Sequence, residues 1–506
     1  MVTRFKKRRF TLIGALSPVM YLLASAPALS TTAGMDVEKL ERELRTGEGG
    51  VLELAPDATV RWSLLRNPDL MLAEEELRVE QAELQSEQAV WEPELFATFE
   101  RAESDRQNSL EREDVPVLLS EDSTGEFGVR TVVTTGAEVS LTYEVRDRFS
   151  NSSSGDNPEG VDDVVANIEV EVRQPLLRDF LAPQLKERIN QAEREIEIAR
   201  QELPRRLLDR SFQTLSAYWQ LYLSQKVHSI NVESLSNAQE LLSDSRKLVD
   251  AGRLPPVAVD DARAGLLLRR SELARASQQV REREAEIRSL LNIDPSKQGD
   301  WSFQLLVAPN TIAVEKPSDF QSYVNQVLSV WPNYRIANER IAIQQSALKI
   351  AKNLSRPKLD MVFAYGQNAR RFDNSLSNAF SDALESEYPE WRAALEFSMP
   401  LGKNQLGAAQ ETIARSEIRQ AEVERNAIQT EVSNQLLNRF GEVRATFEEL
   451  SEYKQNLEIL ADLLERERLA FSRGDSSVRA VVNREDEYNA ARLRVINAQV
   501  RYELAK

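Results

Sequence analysis

Two acidic groups are the first residues that could do chemistry: Asp260-Asp261, and Glu485-Asp486-Glu487. Carboxylates crowded into a narrow space would bind cations or repel them, whereas along an open helix face they are ordinary solvated charges. The lone histidine, His228, sits among Leu223, Val227 and Ile230, the setting of a helix seam. The chain has no cysteine. That excludes disulfides, thiol nucleophiles, thiolate zinc sites and iron–sulfur clusters, and a single histidine excludes any apparatus needing two. No catalytic, cofactor-binding or metal-ligating set is legible, so the sequence does not read as an enzyme and calls for no cofactor.

The elements that carry these residues are long helices. Over 506 residues, 29% are charged and only 18 are glycine. The net charge is −17, and the first 28 residues hold five bases (Arg4, Lys6, Lys7, Arg8, Arg9) and no acid. The remainder therefore has 59 bases against 81 acids, or −22, which disfavours a nucleic-acid partner. The basic start, the apolar run Phe10–Ala26 and the small residues Ala26-Pro27-Ala28 read as an export signal over 1–28. No later stretch reaches the ~20 apolar residues of a membrane-spanning helix. From 184 to 250 only Pro204 interrupts helical composition, and from 404 to 473 there is no proline. Each stretch would run roughly 100 Å, with a narrow alanine-rich stripe (Ile189, Ala192, Ile196, Ala199, Leu203) suited to seams between neighbours.

The chain also repeats. Pro68 and Pro93 bracket one helical stretch, Pro332 and Pro357 another, and both pairs are offset by 264. Alternating segments follow in each half. Val139, Leu141, Tyr143 and Val145 interleave with polar residues, as do Ile168, Val170 and Val172, and later Trp391, Ala393, Leu395, Phe397 and Met399. Such segments are strands with one apolar face, set against lipid or packed on helices in a soluble α+β domain. The chain divides into a linker 29–56, a first repeat 57–292, a linker 293–316 and a second repeat 317–506. Strands are expected at about 94–103 and 165–174, then 358–367 and 391–399, with an extra hairpin near 128–148. Each half ends in a long helix, a glycine turn at 252 or 474, and a shorter helix.

Asn67-Pro68-Asp69-Leu70, Gln174-Pro175-Leu176-Leu177-Arg178, Ala217-Tyr218-Trp219-Gln220-Leu221 and the glycine turns, in this order and duplication, resemble the TolC-type outer-membrane efflux proteins. The resemblance implies an α+β membrane protein: a homotrimer whose protomers each give four strands to a shared twelve-stranded β-barrel in the outer membrane. Its long helices would form an α-helical barrel closed by coiled coils in the periplasm. The implied partners are outer-membrane lipid, a periplasmic adaptor and an inner-membrane transporter. The rival reading is a periplasmic coiled-coil adaptor or scaffold with no channel. Gly252, Arg253, Gly474 and Asp475 would be the adaptor-docking tips, and Leu395 and Phe397 would face lipid. In the family's best-known member an aspartate follows each turn glycine by six residues. Ala258 and Ala480 stand there instead, which leaves Asp260, Asp261, Glu485 and Asp486 as displaced candidates for an acidic entrance. Glu396 is expected to face the lumen and to tolerate change.

Overall fold

The computed structural model describes residues 51–65, 67–107, 117–151, 161–294, 302–309, 317, 319–372, 376–385, 388–402 and 404–506. The expected export signal and parts of both linkers lie outside the described residues. The described residues form two compact units, one drawn from 51–75, 200–335 and 427–506, the other from 76–199 and 336–426. No described helix is long and apolar enough to cross a membrane.

The second unit is built around one antiparallel sheet. Its strands are β2 (Glu94–Gln107), β3 (Val117–Val132), β4 (Glu138–Ser150), β5 (Val161–Pro175), β7 (Lys358–Arg371) and β8 (Pro389–Ser398), in spatial order β2-β3-β4-β5-β7-β8. The sheet thus has six strands, not the four of the plan that the resemblance implied. The extra hairpin is longer than its alternation suggested, and β3 and β4 separate β2 from β5. Its turn is tied to the junction after β5, where Leu181 N–H donates to the Thr135 carbonyl at 2.9 Å. At that junction Asp179 takes a left-handed φ of 66°. Buried Asn353 holds it there, accepting from the Asp179 N–H and donating to its carboxylate.

The other unit is mostly helical. Helix α1 (Pro56–Leu65) precedes α2 (Pro68–Gln88), whose start is set by Asn67: its side-chain oxygen accepts the Asp69 N–H at 2.8 Å, and Pro68 needs no donor partner in the first turn. Then come α3 (Pro183–Asp250) and α4 (Val257–Leu290), and in the second half α5 (Phe320–Val330), α6 (Pro332–Leu354), α7 (Leu376–Glu385), α8 (Gln405–Arg473) and α9 (Val478–Ala505); of these, α7 belongs wholly and α6 mostly to the sheet unit. Helix α3 runs unbroken through Pro204. The long helices contribute residues to both units. Strand β1 (Val51–Leu54) pairs in parallel with β6 (Ser302–Leu305), and Leu52, Leu54 and Phe303 bury against Ala217, Tyr218, Trp219 and Leu221 of α3. The Tyr218 hydroxyl lies 3.3 Å from the Leu54 carbonyl and 3.4 Å from that of Val307. Burial pushes its ionisation up to about 12.

Candidate functional site

The sheet register assigns every strand residue to one of two faces, because side chains alternate. One face carries Leu95, Ala97 and Phe99, then Phe127 and Val129, Leu141 and Tyr143, Val170 and Val172, Phe363 and Tyr365, and Trp391, Leu395 and Phe397. Leu395 is 70% and Phe397 64% exposed in the single chain. Both expected lipid-facing residues thus stand on one continuous apolar face.

The opposite face is charged and cross-braced. Arg130 donates to Glu94 at 2.7 Å. Asp163, almost wholly buried, accepts from both Arg148 and Arg370. Arg173 meets Glu396 at 2.5 Å and Asp360 at 3.7 Å. Arg392 donates to Glu171 at 2.6 Å, and the register puts Ala364 of β7 directly between them. Ala364 and Val362 are accordingly buried although they lie on the polar side. Glu396, expected to be an indifferent lumenal charge, is instead paired. Exposed pairs are each worth little, about 0–1 kcal/mol, but here they link adjacent strands, and β5 to β8 across β7, around two buried carboxylates. This wall presents water-compatible charge on one side and a greasy surface on the other.

The glycine turns form the second feature, within the helical unit. Gly252 and Gly474 have φ of 68° and 84°. In each turn the glycine N–H returns to the carbonyl three residues back, and the next N–H to the carbonyl five back: Gly252 to Val249 and Arg253 to Leu248, Gly474 to Phe471 and Asp475 to Ala470. This double closure satisfies carbonyls that a helix end leaves free, and its left-handed position favours glycine. The two turns are neighbours, since a Cβ added to Gly474 would stand 3.6 Å from the Arg253 Cβ. Beneath them Leu241, Leu242, Ala258, Ala262, Phe471, Val478 and Val481 share one apolar cluster. Ser477 caps α9 by accepting the Ala480 N–H at 3.2 Å.

The four candidate entrance acids do not gather within the chain. Glu485 is only 4% exposed and accepts from Asn237 at 2.9 Å, with Arg468 at 3.9 Å. Asp486 pairs with Arg269, and Asp261 lies 3.5 Å from Arg479. Asp260 is exposed. A groove of about 450 Å³ beside this seam is lined by Asn237, Leu241, Asp244, Lys247, Arg468, Phe471 and Glu485, among others. His228 is half-buried on α3. Among the described residues no group of acids, histidines or cysteines could hold a metal ion. The cross-strand ion pairs and the place of α7 were not foreseen; the alternating charges Glu169, Glu171, Arg173 and Arg392 were the only signal for the former.

Residues 60–292 match the family model described as outer membrane efflux protein. Among solved structures the chain is similar to the CusC channel, with TM-score 0.65 and 14% identity over 91% of this chain and 93% of that one. It is similar to the Campylobacter jejuni CmeC outer membrane channel, with TM-score 0.62 and 13% identity over 89% and 83%. It is also similar to the Vibrio cholerae outer membrane protein VceC, with TM-score 0.64 and 14% identity over 89% and 94%. Comparison with curated protein sequences finds no match.

Proposed function

We infer that this chain is an outer membrane efflux protein, a passive exit channel in the outer membrane with its helical tunnel in the periplasm, a reading supported by the match of residues 60–292 to that family's model. The observation that carries the reading is the division of the sheet into an apolar and an ion-paired face. A periplasmic coiled-coil adaptor would have no use for such a wall. The chain performs no chemistry; it encloses a path.

Finer features belong to this same reading. Edge strands β2 and β8 are each paired on one side only among the described residues, and open edges do not persist in lipid. We take the functional unit to be a homotrimer, each copy closing β8 onto β2 of the next. Six strands from each of three chains would make an eighteen-strand barrel, in the size range that leaves an aqueous channel. The 264-residue offset supports an internal duplication: it relates α1 to α5, α2 to α6 and β2 to β7 by their first residues, 56 to 320, 68 to 332 and 94 to 358. The paired turns at Gly252-Arg253 and Gly474-Asp475 are the surface we assign to a periplasmic adaptor, which in turn reaches an inner-membrane transporter. An acidic entrance would rest on Asp260, whose carboxylate is exposed and has no arginine partner among the described residues. Purified protein added to a planar lipid bilayer should give stepwise, long-lived ion conductance and run as a trimer in detergent. Quantitative release of the protein from cells with the soluble periplasmic fraction, with no conductance, would favour the adaptor reading instead.

A further inference from the structure

The ten residues of α7, between β7 and β8, lie flat on the apolar face of the sheet. Ala379 and Ala383 are fully buried against Val164, Ala166 and Ala369, small residues that let the helix backbone approach the wall. Phe380 and Leu384, one turn apart, form a neighbouring stripe that remains 47% and 57% exposed. Asn378, Ser381, Asp382 and Glu385 occupy the rest of the circumference.

The register fixes which way each edge of α7 points. Arg371 pairs with Val164 at the outer end of the strands, Ala369 with Ala166, and Gln367 with Ile168, which pairs with Tyr143 further in. Asp382 forms an ion pair with Arg371, so the polar edge faces the rim. Phe380 meets the Tyr143 ring edge-on at 5.1 Å, so the apolar edge faces mid-strand. The next row inward is the exposed apolar series Leu141, Val170, Tyr365 and Trp391. Gln367, with its amide turned to satisfy its surroundings, donates to the Ala383 and Leu384 carbonyls at 3.1 and 3.3 Å. A helix end exposed to water needs no such partner, whereas one in a lipid boundary does.

We propose that α7 is an interfacial lipid-binding helix clasped to the outside of the barrel wall. Phe380 and Leu384 enter the acyl chains, continuous with the lipid-facing wall, and the Asn378, Ser381 and Asp382 side stays at headgroup level. The proposal rests on the channel reading, because the same patch on a soluble protein would serve a protein partner.

The cysteine-free chain makes the test direct. Phe380→Cys, Leu384→Cys, Ser381→Cys and Phe397→Cys are each labelled with a nitroxide in the full chain, reconstituted in phosphatidylcholine–phosphatidylglycerol vesicles. Collision rates with oxygen, which enriches in lipid, and with a water-soluble nickel chelate are then compared. Labels at 380, 384 and 397 should show an oxygen-to-nickel ratio several-fold above that at 381. A ratio at 380 and 384 equal to that at 381, with 397 still lipid-like, would overturn the helix assignment alone. Exclusion of both probes at 380 and 384 would also overturn it, by showing that protein covers the patch. Nickel access at 397 as well would overturn the channel reading and this one together.

Discussion

Arginine placed at Leu395 separates a lipid-facing wall from a solvated one. Leu395 lies three residues from the end of β8, opposite Met361, and is 70% exposed in the single chain. Were its face in water, a substitution at so exposed a site would change stability by no more than about 0.5 kcal/mol. Against the hydrocarbon the guanidinium costs up to about 2–4 kcal/mol, less towards either interface, which lowers the folded-to-unfolded ratio by as much as roughly 30- to 900-fold. Phe99→Arg, on the same face of β2 and 77% exposed, should behave alike. Thr98→Arg is the matched control: it adds the same side chain on the polar face, opposite Glu126. Urea titration of refolding into phosphatidylcholine vesicles, read by tryptophan fluorescence, measures all three. Leu395→Arg and Phe99→Arg should show a large loss and Thr98→Arg near-neutrality. Three equal effects, large or small, would refute the two-faced wall.

Gly252→Trp and Gly474→Trp should abolish export while trimer assembly and membrane insertion persist. Part of the effect is backbone strain of about a kilocalorie, so the comparison is with Gly474→Ala, which carries that strain without the bulk and should still export. Asn237→Ala removes the donor to buried Glu485 and should destabilise the helical unit by about 1–3 kcal/mol, measured as a lower thermal midpoint, with Glu485→Gln restoring part of it. Tyr218→Phe should cost about 1 kcal/mol near neutral pH, since the Leu54 carbonyl keeps the Leu306 N–H. Because Tyr218 ionises near 12 in the fold and about 10 unfolded, its contribution is complete below pH 10 and falls as pH rises towards 12. Denaturation scans should show that alkaline loss to be smaller in the Phe variant.

Much of the architecture was legible because particular residues left few choices. A glycine after a long charged helix needs a reason, and the left-handed φ at 252 and 474 supplies it. Prolines at 68, 93, 332 and 357 flank helices whose limits agree with them. Ala217, Tyr218, Trp219 and Leu221, read only as part of a pattern, prove to be core. The start of β3 was missed because Ser120, Asp122, Ser123 and Gly125 break apolar alternation; two flanking strands, not its own side chains, impose the extended state there. Helix α7 was hidden because ten residues between strands leave a helical period barely distinguishable from a loop. The pairing of Glu396 could not be read at all, since its arginine lies 223 residues away in sequence.

The bridge from Glu171 to Arg392 over Ala364 bears on how this chain can vary. With Gly366, Ala364 and Val362 on the polar side of β7, the strand has room for its neighbours' long side chains only because its own are small. A lineage that enlarged residue 364 would have to surrender the ion pair, and one that lost either charge would be released from the small residue. Positions 171, 364 and 392 should therefore change together among descendants of this sequence. The exposed apolar positions on the other side of the same strand, Phe363 and Tyr365, need only remain greasy and can drift independently.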